Sequence, residues 1–313
     1  MKSSSQLFPV SLLRADVFGS LTEDVYLVKH NLDDDKSVQI AVSHLGLAGV
    51  TASKGPVVLL HGSFSNRGFW LSAKGEGLAR HLAENGFDVW MMEMRGHGLS
   101  PRNHQYSKNT LEQYVLHDLP AVNAFVKEKS GASPAWIGHS LGGVVIASAI
   151  AAGTLAEADC RAIVLLGSQA IRRPWYQWIP GVSLSLRAAV RSKGEMDGRK
   201  HGIGPENEPA ALISEYLKRH SLLGSWQLPA QRKKLLPLWK QGTQVPLLAL
   251  AAAADSSDPA RYCTRFADMY GGEKTVETLG VQSGLSKDYG HVDMIVSPEA
   301  AREVWPRIAS WLS

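Results

Sequence analysis

Five residues constrain this chain more than any others: Gly138-His139-Ser140-Leu141-Gly142, set where one apolar run hands over to another. Before them, Pro134-Ala135-Trp136-Ile137 reads as a short buried strand. After them, residues 143–152 (Gly-Val-Val-Ile-Ala-Ser-Ala-Ile-Ala-Ala) read as a buried helix. Gly-x-Ser-x-Gly between a strand and a helix predicts a sharp, strained turn that lifts a serine hydroxyl above the sheet edge. The glycines two residues before and after the serine answer a steric demand, because a side chain there would collide across the turn.

The rest of the chain supplies the sheet that such a turn needs. Short apolar runs alternate with helical stretches, the pattern of a mostly parallel sheet covered by helices on both faces. Strands are expected at residues 57–60, 87–94, 134–137, 162–166, 245–250 and 276–281. Helices are expected at 76–85, closed by Gly86, at 111–129 with Pro120 inside, and at 298–312 with Ser297 as N-cap and proline in the first position. Residues 11–45 read as an antiparallel hairpin at the sheet edge.

At 313 residues the chain has the length for one large α/β domain, or a domain plus an insertion. The rhythm breaks between about 170 and 242. That stretch has helical pieces at 209–220 and 231–241 but no strong strand, and it holds four of the nine tryptophans: Trp175, Trp178, Trp226 and Trp239. From Arg172 to Lys240 there are 13 Lys and Arg against 5 Asp and Glu, so the basic surplus is concentrated there. The predicted division is a core of residues 1–170 and 243–313, with a helical cap, 171–242, inserted after the fourth core strand.

Composition closes off several classes. Apolar residues at 44% and charged residues at 20% make an ordinary globular balance that argues against disorder. The two cysteines, Cys160 and Cys263, make no disulfide framework and lack the neighbours of a zinc site, so each is read as a buried thiol. No metal, flavin or nucleotide motif is present: Gly202-Ile203-Gly204 and Gly271-Gly272 lack a phosphate-binding strand–loop–helix context, and no cofactor is expected. The N-terminal residues lack the apolar core of a signal peptide, and no stretch approaches the about 20 apolar residues of a membrane span. The expectation is a cytoplasmic protein without integral membrane association. The basic surplus is read first as a solvated face, with attraction to an anionic lipid surface or an acidic acyl substrate as the functional alternative. Nucleic acid is not expected, because Arg172-Arg173-Pro174-Trp175 and Arg232-Lys233-Lys234 sit beside apolar runs rather than along a continuous basic face.

A serine is a poor nucleophile until a base takes its proton and a third group orients that base. On this topology the chain order is serine, acid, histidine. His291 lies in a loop between the last strand and the last helix, from where it can reach back over the turn. His139 is locked beside the serine, and its ring is expected to point away and pack. Asp255 follows an apolar run at the carboxyl end of its strand, where function gathers in open α/β sheets. Its rival Asp258 precedes Pro259 and reads as a helix start with its side chain occupied by capping. Asp293 remains an outside candidate for the acid, although it stands close in sequence to His291. Donors for a tetrahedral oxyanion are expected at the Leu141 N–H and, in His61-Gly62-Ser63-Phe64, at the Ser63 N–H with Phe64 as the alternative. Phe64, Trp175 and Trp178 are candidates for an acyl pocket, the two tryptophans sharing one face of a helical turn with Ile179 and Val182.

Four segments in order, Val57-Val58-Leu59-Leu60-His61-Gly62, Arg95-Gly96-His97-Gly98-Leu99-Ser100, Gly138 to Gly143, and Gly290-His291-Val292-Asp293, resemble the α/β-hydrolase superfamily. More loosely, Gly86-Phe87-Asp88-Val89-Trp90 and His117-Asp118-Leu119-Pro120-Ala121 resemble the lipase/esterase branch related to acid lipases. The resemblance implies Ser140, Asp255 and His291 as a triad with Ser63 and Leu141 as oxyanion donors. It implies hydrolysis of a small-molecule carboxylic ester with a hydrophobic acyl part, through an acyl-enzyme. A thioesterase, a C–C hydrolase or an acyltransferase would use the same triad, and a binding protein of the same fold would dispense with it. One departure stands out: the acid strand runs into Ala251-Ala252-Ala253-Ala254-Asp255, without the glycine-containing turn usual there. The Arg95–Ser100 segment is read as a scaffold turn, with His97 as a hydrogen-bonding residue of that scaffold.

Overall fold

The computed structural model describes residues 5–175, 179 and 181–313. Nine strands form one sheet: β1 (Val10–Phe18), β2 (Leu21–Val28), β3 (Ile40–Leu47), β4 (Pro56–Leu60), β5 (Asp88–Met92), β6 (Ala135–His139), β7 (Ala162–Leu166), β8 (Leu247–Ala252) and β9 (Lys274–Leu279). Their spatial order is β1-β2-β3-β5-β4-β6-β7-β8-β9. From β5 onward every pairing is parallel. β1, β2 and β3 pair antiparallel with one another, and β3 joins β5 antiparallel. The edge expected as a hairpin is therefore a three-stranded meander.

Every residue of β4, β6, β7 and β8 is buried, as continuous apolar runs require when helices cover both faces. Alternate side chains feed opposite layers. Val58, Leu60, Trp136, Ile163 and Leu165 join one core cluster, and Val57, Leu59, Ile137, Val164 and Leu166 join the other. Helices α2 (Leu119–Ser130) and α3 (Leu141–Ala152) cover the first face; α1 (Leu78–Glu84) and the C-terminal helices cover the second.

Two helices expected as single pieces are broken, both at prolines. The stretch 111–129 starts with a capping box between Thr110 and Gln113, widens into a π turn at Tyr114–Asp118, and restarts as α2 with Pro120 in its first turn. A proline lacks the N–H and crowds the carbonyl four residues back, and the wider turn removes both conflicts. The C-terminal helix divides at Val304, with Pro306 opening its second half.

Between β7 and β8 the chain leaves the sheet. The described part holds α4 (Val182–Lys193), a ribbon pairing Glu195–Asp197 with Asn207–Pro209, α5 (Ala210–Arg219), a second ribbon pairing Gln227–Leu228 with Lys233–Lys234, and α6 (Leu235–Gln241). Two short ribbons thus accompany the helices where helices alone were expected. The latter part of this stretch also packs into the first core cluster through Trp226, Leu228, Leu235 and Trp239. The Trp226 indole N–H donates to Ser148 Oγ of α3 (2.9 Å), and that of Trp239 to the Phe266 carbonyl (2.9 Å).

Candidate active site

Ser140 sits between the last residue of β6 and the first of α3, at φ +51° and ψ −118°. Such a conformation is strained for a non-glycine residue and persists only where the surroundings impose it. Here they do. The Ser140 N–H donates to the Leu166 carbonyl of β7 (2.9 Å), and its own carbonyl receives the Val144 N–H (3.1 Å). A Cβ on Gly138 would lie 2.5 Å from the Gly143 nitrogen, and one on Gly142 2.3 Å from the Leu60 carbonyl oxygen, so both flanking glycines are sterically required.

Asp255 lies just past β8, buried, and receives the Nδ1–H of His291 on Oδ2 at 2.6 Å. Its other oxygen takes the Asp258 N–H (2.8 Å), which fixes the carboxylate plane. Burial opposes charge on His291, but the hydrogen bond and charge of Asp255 outweigh it, and the imidazole pKa lies above its ordinary value. Asp258 is engaged elsewhere: its carboxylate accepts from Gln169 Nε2 (2.6 Å), and burial pushes its pKa up. The capping role read for Asp258 is corrected by this geometry. The residue before α7 (Ala260–Asp268) is Pro259, which has no capping side chain, and the Asp258 carboxyl has turned toward the β7 loop. Asp293 holds its own loop, accepting the Gly290 N–H and pairing with Lys287.

His139 does more than pack. Its ring stacks on Phe69 (centroids 4.5 Å apart), and its Nε2–H donates to the His291 carbonyl at 2.8 Å. Burial, and the neighbouring charge of His291, push its pKa down to about 3, so it stays neutral. The turn that carries the serine is thereby tied directly to the loop that carries His291. No local signal announced this bond, since the partner lies 152 residues away.

The Leu141 N–H opens α3 and has no partner within the helix. Ser63 lies half-buried in the loop after β4. The alternative donor, the Phe64 N–H, is occupied by Glu208 Oε1 at 2.8 Å. His61 at the start of that loop accepts the Met94 N–H and donates to the Gly62 carbonyl, tying the ends of β4 and β5 together. Burial, with His97 adding to it, takes the His61 pKa to about 3.

The Arg95–Ser100 turn is internal scaffold. Arg95 is fully buried, bonds both oxygens of Asp118 and reaches Asp33, and these carboxylates hold its pKa above the ordinary value against burial. His97 faces Glu208 Oε1 at 3.3 Å, and that charge raises its pKa although burial opposes it. Of the residues suggested for an acyl pocket, Phe64 is half-buried, Trp175 is 73% exposed, and Trp178 lies outside the described residues. The helical turn expected to bring Trp175 and Trp178 onto one face falls largely outside the described residues. Arg172 and Arg173, within the basic surplus, bond backbone carbonyls: Arg172 those of Ser256 and Ser257, Arg173 those of Leu222 and Gly224.

A family model described as the alpha/beta hydrolase fold matches residues 55–199. A tear acid lipase-like protein of Mesocricetus auratus is 36% identical over 104 residues, 30% of this chain and 26% of that protein. Human lipase member K is 35% identical over 106 residues, 31% of this chain and 27% of that protein. The matched stretch thus spans about a quarter of the length of these relatives. Among solved structures, a thermophilic esterase from Thermogutta terrifontis aligns with a TM-score of 0.59 at 16% identity, covering 92% of this chain and 97% of that one. A Paleococcus ferrophilus monoacylglycerol lipase aligns at 0.56 and 17%, covering 88% and 98%. The chain has the α/β-hydrolase fold, and about 30% of it is similar in sequence to lipases.

Proposed function

We propose that this protein is a serine hydrolase that cleaves a carboxylic ester through an acyl-enzyme on Ser140. The observation that carries the reading is the 2.6 Å bond between His291 and Asp255, formed on the loop beside a serine held at positive φ. Asp255 fixes the imidazole with its proton on Nδ1, which leaves Nε2 as the base for the serine hydroxyl. Ser140 Oγ attacks the ester carbonyl while His291 takes its proton, and the oxyanion is received by the N–H groups of Leu141 and Ser63. His291 then protonates the departing alcohol, activates a water against the acyl-enzyme, and returns the proton to Ser140 as the acid leaves.

The relatives named as lipases and esterases support an ester substrate over a thioester or a C–C bond. In this reading the front of the insertion serves as the cap over Ser140, and a hydrophobic acyl part of the substrate lies beneath it. The test is Ser140→Ala, assayed on p-nitrophenyl esters from acetate to palmitate alongside fluorophosphonate labelling of the parent protein. The parent should be labelled on Ser140, and the variant should lose activity by several orders of magnitude with its melting temperature unchanged. Retention of more than about a tenth of the activity would remove Ser140 from the nucleophile role.

A further inference from the structure

The loop after β4 is held from two sides. On the core side, the buried Glu93 accepts the Arg67 N–H on one oxygen (3.1 Å) and the Leu99 N–H on the other (2.9 Å). On the other side stands the insertion. The Phe64 N–H donates to Glu208 Oε1 (2.8 Å), the Phe64 carbonyl accepts the Glu206 N–H (3.1 Å), and Asn66 Nδ2 donates to Glu206 Oε1 (2.6 Å). Both backbone groups of Phe64 are therefore bonded to residues more than a hundred positions away in sequence. Between these contacts Phe64 adopts φ +58°, a conformation that a bulky side chain takes only under constraint. The approach is close enough that a Cβ on Gly204 would stand 2.1 Å from the Phe64 carbonyl oxygen.

Glu208 is itself fully buried, with His97 against the same carboxyl oxygen at 3.3 Å. It lies in the ribbon pairing Glu195–Asp197 with Asn207–Pro209 and is followed at once by α5, so its carboxylate is carried on a fixed element. The residue it constrains is the neighbour of Ser63.

We propose that Glu208 is a positioning residue for ester hydrolysis: by holding the Phe64 N–H it fixes the bend that presents the Ser63 N–H to the oxyanion, so that turnover requires the insertion to be seated on the core. This rests on the reading in which Ser140 is the nucleophile and Ser63 a donor. An oxyanion donor acts only when it stands ready before charge develops. If the Glu208 bond is lost, Phe64 relaxes toward negative φ and the neighbouring peptide plane turns with it. The requirement is for an acceptor at the right reach more than for a negative charge.

Two substitutions separate reach from charge. Glu208→Gln keeps an acceptor oxygen at the same distance without the charge, whereas Glu208→Asp keeps the charge and withdraws the oxygen by one methylene. Kinetics on p-nitrophenyl butyrate, affinity for a trifluoromethyl ketone that forms a tetrahedral oxyanion adduct, and melting temperature are measured for both. Glu208→Gln should stay within about fivefold of the parent in kcat. Glu208→Asp should lose about 30- to 300-fold in kcat with KM within about threefold, and ketone affinity should fall in step, as for a misplaced oxyanion donor. Gly204→Ala, which pushes Phe64 from the other side, should give the same signature. An unimpaired Glu208→Asp overturns the proposal, as does a Glu208→Gln as impaired as Glu208→Asp. So does a loss confined to KM and thermal stability, which would make Glu208 an anchor of the insertion only. Failure of fluorophosphonate to label Ser140 in the parent would instead overturn the underlying reading, so the two failures are told apart.

Discussion

Two helices of equal length lie on opposite terms with the rest of the molecule. In α3, all twelve residues from Leu141 to Ala152 are buried; in α4, the twelve from Val182 to Lys193 include none that is buried. The first is buried against the sheet, with Ser140 at its N-terminus. The second shows Leu184 at 67% exposure and Leu186 at 41% on the surface of the insertion. Helix α3 is held by area, through apolar burial spread over its whole surface. The front of the insertion adds polar points, Glu208 on Phe64, Tyr106 on the Asn207 carbonyl and Glu215 on the Leu111 N–H, to the apolar contact that Leu212 makes in the first core cluster. The turn that bears Ser140 belongs to the part held by area, whereas the loop that bears Ser63 is bonded to the part held by points.

The sharpest test of the contrast is on the core side. Asp255→Asn should lower kcat by about 10³ to 10⁴, because the imidazole loses the partner that fixes its tautomer, while Asp258→Asn should cost far less. The parent's pH profile has a defined sign. His291 works as a base only when neutral and its pKa is raised, so kcat/KM should rise with pH through a midpoint above the ordinary histidine value. With Asp255→Asn that limb should move to lower pH as the raising charge is removed. A larger loss for Asp258→Asn, or a limb that does not move, would break the assignment.

The next test asks where area-held packing ends. Trp239, fully buried in the first core cluster, should lose about 3–5 kcal/mol of stability on Trp239→Ala. Leu184→Ala on α4 should change stability by no more than about 0.5 kcal/mol. Denaturant midpoints at constant m-value would measure both, and a comparable loss at the two positions would erase the distinction. The smallest effect on turnover belongs to the tie between the serine turn and the histidine loop. His139→Phe keeps an aromatic ring against Phe69 but leaves the His291 carbonyl without its donor, and kcat should fall about tenfold. An unchanged kcat would mean the His291 loop holds its place without that bond.

The readable parts of this protein are those whose causes are local. Buried parallel strands announce themselves as apolar runs, and the turn at Ser140 is dictated by glycines two residues to either side of it. The helix breaks at Pro120 and Pro306 were harder, because the proline signals a conflict without saying whether a π turn or a full break will relieve it. Position at the strand end favours Asp255 over Asp258 in the sequence, but the reason that sets Asp258 aside is a distant partner rather than capping. Both precede α7, and only the folded chain shows that the first meets His291 while Gln169 draws the second away.

The parallel strands, the serine turn and the short list of residues able to serve it lay in the sequence alone, since each follows from sterics and periodicity over a few neighbouring positions; the three-stranded edge did not. Which distant groups meet depends on the folded chain: His139 with the His291 carbonyl across 152 positions, and Phe64 with Glu208 across 144. Such bonds form because two elements, each placed by its own apolar contacts, bring a donor and an acceptor within reach, and no property of either residue's neighbours encodes that distance.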